Sequence, residues 1–132
     1  IVLAFSKHAT SKIENEEDLF EIDTLGFRGE ALSSIISIAK LTCTTRTKDA
    51  QDAIKAVGSD SQIVTSKVGA GLGTIFEVKD LFFNTPARLK FLKSDKTEMA
   101  YIQEIIQAIA LSNPDIAFEL FEIIETKCRD EI

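Results

Sequence analysis

Between Lys40 and Lys79 the chain reads almost without interruption as β-strand, and that block constrains the fold more than any other feature. "KLTCTTRTK" sets Leu41, Cys43 and Thr45 against threonines and Arg46, a period of two rich in β-branched residues. "AIKAV" and "QIVTSKV", separated by the turn sequence "GSDS", form a hairpin. "GAGLG" at 69–73 breaks the pattern, and "TIFEVKDLF" resumes it with Phe76 and Val78 opposed to Glu77 and Lys79. Strands in succession joined by short turns predict an antiparallel meander.

Helical patterns flank this block. From Glu30, apolar residues at Ala31, Leu32, Ile35, Ile36 and Ala39 mark one face of a helix that would pack on the sheet. Upstream, "NEEDLFEI" has Asn15 as a cap and three acidic residues in the first turn, and "IVLAF" is compatible with a buried strand or a helix end. Downstream, Thr85 before Pro86 predicts a helix start at "PARLKFLK". Asp95 with Glu98 reads as a capping box opening a second helix, with a buried stripe of Ile102, Ile105, Ile106 and Ile109 and a stop at Pro114. "IAFELFEII" reads as a final strand. This order of elements predicts an α/β fold, a two-layer sandwich with a largely antiparallel mixed sheet. The 132 residues, 45% hydrophobic, suffice for one domain with a modest core.

Charge and composition exclude several classes. A net charge of −6 argues against a free-standing electrostatic nucleic-acid binder, which needs a basic face. The apolar runs fall far short of the roughly 20 residues of a spanning helix, and no secretory leader pattern opens the chain. Cys43 and Cys128 are widely separated and support neither a zinc site nor a disulfide framework, so an intracellular setting is expected. The chain starts at Ile1 and its single methionine is Met99, so it reads as a piece of a longer protein.

The stretch "TLGFRGEAL" brings two glycines to the start of the predicted helix. A helix N-terminus offers unpaired N–H groups and partial positive charge, and a glycine-containing approach lets them converge on an anion such as phosphate, with Arg28 adding a charge-assisted contact. On spacing alone the plainer reading is favoured, in which Gly26 and Gly29 make only a turn, Glu30 complements the dipole and Arg28 is solvated, because two glycines three apart are weak evidence for a phosphate site. Neither the Rossmann nor the P-loop glycine pattern occurs, and "GAGLG" precedes a strand rather than a helix, so it is a connection. "HATSK" places an imidazole, two hydroxyls and an ammonium within five residues, of which Lys12 is the strongest phosphate candidate. His8 has no partner at metal-ligand spacing, and no nucleophile motif is present.

Three segments in order, "KHATSKI", "LGFRGEALSSI" and "GTIFEVKDLFFNTPARLKFLK", resemble the MutL family of DNA mismatch-repair proteins, within the N-terminal ATPase domain. The resemblance is strongest over 7–40 and 73–93 and weakest over 48–72 and after Leu111. Lys7 stands where the family usually has Arg, and Phe83 where it usually has Tyr. The resemblance implies an incomplete ATPase fold of the GHKL superfamily, shared with gyrase, certain chaperones and sensor kinases. It implies ATP, with Mg2+, as the ligand. Thr10, Ser11 and Lys12 match the nucleotide lid. Arg28, Gly29, Glu30, Ala31 and Leu32 match the phosphate-contacting loop and helix start, with Gly26 and Phe27 leading in. Thr74 matches a position of the adenine pocket.

By the same resemblance, residues 1–132 are part of an N-terminal ATPase domain whose general-base glutamate, metal-binding asparagine and adenine-reading aspartate lie upstream. No catalytic residue or metal ligand is therefore assigned within the chain, and the isolated segment is expected to be inactive. In the parent, ATP binding and hydrolysis would drive N-terminal dimerisation, homo- or heteromeric, with another MutL-like chain and couple a mismatch-recognition protein on DNA to downstream repair. The setting would be cytoplasmic in a bacterium and nuclear in a eukaryote, without a membrane role. Another ATPase of the superfamily, such as a topoisomerase or chaperone, and a non-hydrolysing interaction module are the alternatives. Residues Phe5 to Phe27 are expected to be irregular without nucleotide.

Overall fold

The computed structural model describes residues 1–6, 28–59 and 62–123. Within them the β block forms a four-stranded sheet: β1 (Lys40–Arg46), β2 (Ala53–Ser59), β3 (Gln62–Val68) and β4 (Gly73–Lys79). Every pairing is antiparallel, but the order is β3-β2-β1-β4 rather than that of a meander. The fourth strand returns beside the first, running from Lys40↔Lys79 to Arg46↔Gly73, which is Greek-key order. Alternation alone could not decide this, because β4 would bury the same side chains on either edge.

The crossover explains "GAGLG". Returning from β3 to β4 spans three interstrand spacings, roughly 14 Å. Five Cα steps from Val68 to Gly73 reach at most about 18 Å, so the connection has little slack. Gly73 has φ +113, a conformation side chains rarely adopt, whereas a Cβ at Gly69 or Gly71 would meet open space.

One face of the sheet carries the core. A 3₁₀ turn over Val2–Phe5 and α1 (Ala31–Ile36) lie there, and Phe5, Ile36, Leu41, Cys43 and Ala56 form the buried cluster, flanked by Leu32, Ile35 and Ile63. "IVLAF" thus supplies a helical turn rather than a strand, and Phe5 is buried instead of irregular; 7–27, with the remainder of the expected irregular stretch and the "NEEDLFEI" helix, lie outside the described residues. Gly58 belongs to β2 and not to a turn: a Cβ there would stand 3.1 Å from Ile36 Cγ2, so its bareness admits α1 to the sheet. Helix α1 stops at Ile36, three residues short of the end of the apolar pattern at Ala39, although the Ala39 N–H still reaches Ile35 O.

The chain divides into two units, Ile1–Lys90 and Phe91–Ile132. In the first, Pro86 opens a four-residue helix, α2 (Pro86–Leu89); Thr85 holds the N-cap position but makes no side-chain cap bond, and its buried hydroxyl has no hydrogen-bond partner among the described residues. In the second, α3 (Asp95–Ser112) is capped one residue earlier than the sequence suggests. Ser94 accepts from the Thr97 N–H and lies 2.9 Å from the Thr97 hydroxyl, while Glu98 accepts from the N–H of Lys93, the residue before the cap, at 2.8 Å. The helix ends at Ser112, before Pro114, with Asn113 donating to Ile109 O at 2.8 Å. No α3 residue is buried: of the expected stripe, Ile102 and Ile105 are exposed and Ile106 and Ile109 are half-buried. Residues 117–123 form no strand, since a strand needs a neighbour to take its backbone hydrogen bonds and none of the described strands pairs with them.

Candidate functional site

Residues Arg28 to Leu32 form the described part of the glycine loop and the start of α1. Gly29 has φ +66, the left-handed conformation that glycine adopts without penalty. Glu30 takes the N-cap position without a side-chain cap bond, and the first helical bond runs from Ser34 N–H to Glu30 O at 3.0 Å. The N–H groups of Ala31, Leu32 and Ser33 therefore have no intrahelical acceptor. Ser33 is buried and spends its hydroxyl on the Glu30 carbonyl at 3.0 Å, so it competes for nothing outside the turn.

Arg28 Nε lies 3.0 Å from Glu30 Oε2, and the Arg28 side chain is 76% exposed. A guanidinium already facing a carboxylate would have to share or leave it to reach an anion, and an exposed pair of this kind is worth about 1 kcal/mol or less. What the loop offers an anion is a tight turn with N–H groups beyond it. Thr74 is on β4, paired with Thr45, and the two hydroxyls lie 2.7 Å apart. By strand alternation Thr74 shares the face of Cys43, the face that carries α1. Thr10, Ser11, Lys12, Gly26 and Phe27 lie outside the described residues. No group of three or more His, Cys, Asp or Glu side chains among the described residues is placed to hold a metal ion. Nor is any described helix long and apolar enough to cross a membrane.

One association had no signal in the sequence. The segment Asp80–Asn84 folds back onto the end of α1: the Phe82 N–H donates to Ile38 O at 2.7 Å, and Asn84 Nδ2 donates to Ser37 O at 2.8 Å. Lys40 Nζ lies 2.7 Å from Asp80 Oδ2 and 5.9 Å from the centroid of the Phe83 ring. Asp80 and Phe82 have φ values of +53 and +65, a conformation that costs a non-glycine residue on the order of 1–3 kcal/mol. The contacts to α1 and β1 hold them there.

No protein-family model matches the chain. Curated relatives do. The DNA mismatch repair protein MutL of Pseudomonas fluorescens is 52% identical over 120 residues, which are 89% of this chain and 19% of that protein. MutL of Caldanaerobacter subterraneus is 49% identical over 119 residues. Among solved structures, the Aquifex aeolicus MutL ATPase domain complexed with ADP matches with a TM-score of 0.63 and 36% identity, over 78% of this chain and 41% of that one. The chain thus spans about a fifth of the length of these curated relatives. Identity of about half over 89% of the chain, joined to a shared fold, places the chain in the MutL family, as part of its ATPase domain.

Proposed function

We propose that this chain supplies the phosphate-facing portion of the ATP site of a MutL mismatch-repair protein, with Arg28–Leu32 at the phosphates and Thr74 toward the base. The observation that carries this reading is Gly29 at φ +66 immediately before the open first turn of α1, in a chain whose solved relative is an ATPase domain complexed with ADP. The N–H groups there suit phosphate oxygens. Gly26 and Phe27 would complete the approach, and Thr10, Ser11 and Lys12 would close over the nucleotide as a lid. Magnesium would serve the longer protein by neutralising phosphate charge. The described residues do not fit a metal site, so no step is assigned to a metal here.

In this role the chain binds and orients and does not perform the chemistry. Holding the triphosphate is itself catalytic work, since phosphoryl transfer depends largely on positioning and electrostatics. The general base belongs, on this reading, to a part of the parent outside residues 1–132. ATP-driven dimerisation with a second MutL-like chain, and coupling of a mismatch-recognition protein on DNA to later repair steps, are the functions proposed for that parent. The family identity supports this above the alternatives of a topoisomerase, a chaperone or a non-hydrolysing module.

The test separates backbone from side-chain recognition in the full-length protein. Gly29→Val places a β-branched side chain at φ +66 and beside the ligand, and should weaken ATP binding more than Arg28→Ala. Arg28→Ala should cost about 1.5 kcal/mol or less, having removed a guanidinium already paired with Glu30. Calorimetric affinities, taken after circular dichroism confirms folding, decide it. Loss of binding in Arg28→Ala with Gly29→Val unaffected would overturn the assignment.

A further inference from the structure

Helix α1 spans six residues, too few to hold its own position, so its placement must come from tertiary contacts. Its apolar face is fixed by Ile36 against Leu41 and Gly58. Phe5 of the 3₁₀ turn belongs to the same cluster, and a further constraint is the segment Asp80–Asn84. The carbonyls of Ser37 and Ile38 end the last turn, where a helix has no internal donors for them, and they receive the Asn84 amide and the Phe82 N–H. Asp80 ties to Lys40 at the first residue of β1. Three bonds from one strained loop thus grip the junction of α1 and β1, about 9 Å along the helix from its first turn. Two left-handed non-glycine residues in that loop imply that the grip, rather than the loop's own preference, sets its shape.

We propose that Asn84 is a positioning residue for the nucleotide: by capping the end of α1 it sets the pose of the helix, and so the direction in which the N–H groups at the other end present themselves to phosphate. This rests on the reading of Arg28–Leu32 as the phosphate contact. A displacement of the helix end tilts the whole short rod, because nothing else described in the structure bonds the Ser37 carbonyl.

The test uses the full-length protein. Asn84→Asp keeps size and shape but replaces the amide donor with an acceptor facing a carbonyl, and should weaken magnesium-ATP affinity about five- to tenfold, in line with the loss of one hydrogen bond. Asn84→Gln, which retains the donor, should recover most of it. The KM for ATP should rise in step with the loss of affinity, whereas a purely structural tie would lower the melting temperature and the active fraction and leave affinity and KM unchanged. If Asn84→Asp does not fold, Lys40→Gln releases Asp80 at an exposed position and should weaken affinity about two- to threefold. Unchanged affinity in the folded variant overturns the positioning role. Gly29→Val, measured alongside, tells the two readings apart: if it weakens binding while Asn84→Asp does not, the phosphate loop stands and Asn84 is merely structural; if neither does, both fall.

Discussion

A single exposed carboxylate shows how the strained loop is held. Asp80 accepts a hydrogen bond from Lys40 and sits in its positive field, and these two effects hold its carboxyl below the ordinary carboxylate range. Protonation is therefore harder in the folded protein than in the unfolded chain. The contribution is complete above the unfolded value, near pH 4, and is lost as pH falls through the lower folded value. Asn tolerates the φ of +53 as well as Asp does, so Asp80→Asn removes the charge and leaves the backbone in place. The variant should melt at lower temperature than the parent at pH 7, and the gap should close as acid protonates Asp80. A gap of constant size from pH 7 to pH 2 would mean that shape, and not the ion pair, sustains the loop.

Among the secondary elements, the contact between Gly58 and Ile36 decides how α1 meets the sheet. Gly58→Ala would put a methyl 3.1 Å from Ile36 Cγ2 in a buried site, and overpacking of this sort costs about 1–3 kcal/mol. Ile36→Ala costs stability by leaving a cavity, but in the double variant the new methyl occupies part of that space. Urea unfolding should show the double variant less destabilised than the sum of the single ones, and strict additivity would show that this contact is not the source of the cost. The strands were legible because a period of two is written in the side chains; Leu41, Cys43 and Ala56 fall on the buried face as the alternation requires. Gly58 was misread because glycine marks turns and close approaches alike, and only the partner helix distinguishes them. Ser94 and Asp95 can both cap a helix, and only backbone angles choose Ser94. The return of β4 to β1, and the reach of Asn84 to Ser37, are relations between distant residues that no local pattern records. The turn before α1 was legible from Gly29, whose left-handed φ is a local demand of the backbone.

At the scale of the whole molecule, apolar surface is left over in each unit. In the first, Phe76 and Val78 share the core face by register with Cys43 and Leu41, yet remain 50% and 49% exposed. In the second, Ile102 and Ile105 of α3 are 44% and 59% exposed. Isolated apolar residues on a surface are ordinary; a sheet face and a helix stripe each left open are what association uses. The relatives are about five times longer than the stretch they share with this chain, and the ATPase-domain structure extends well beyond it. We therefore expect residues 1–132, prepared alone, to bind a hydrophobic dye and to self-associate as concentration rises, and to hydrolyse no ATP, while the full-length protein at equal molarity binds less dye per chain and turns ATP over. Sedimentation velocity across a tenfold concentration range, dye fluorescence and a phosphate-release assay measure the three. A monomeric, dye-negative segment would show that these faces need no cover, and phosphate release that survives further purification would place the general base within these 132 residues.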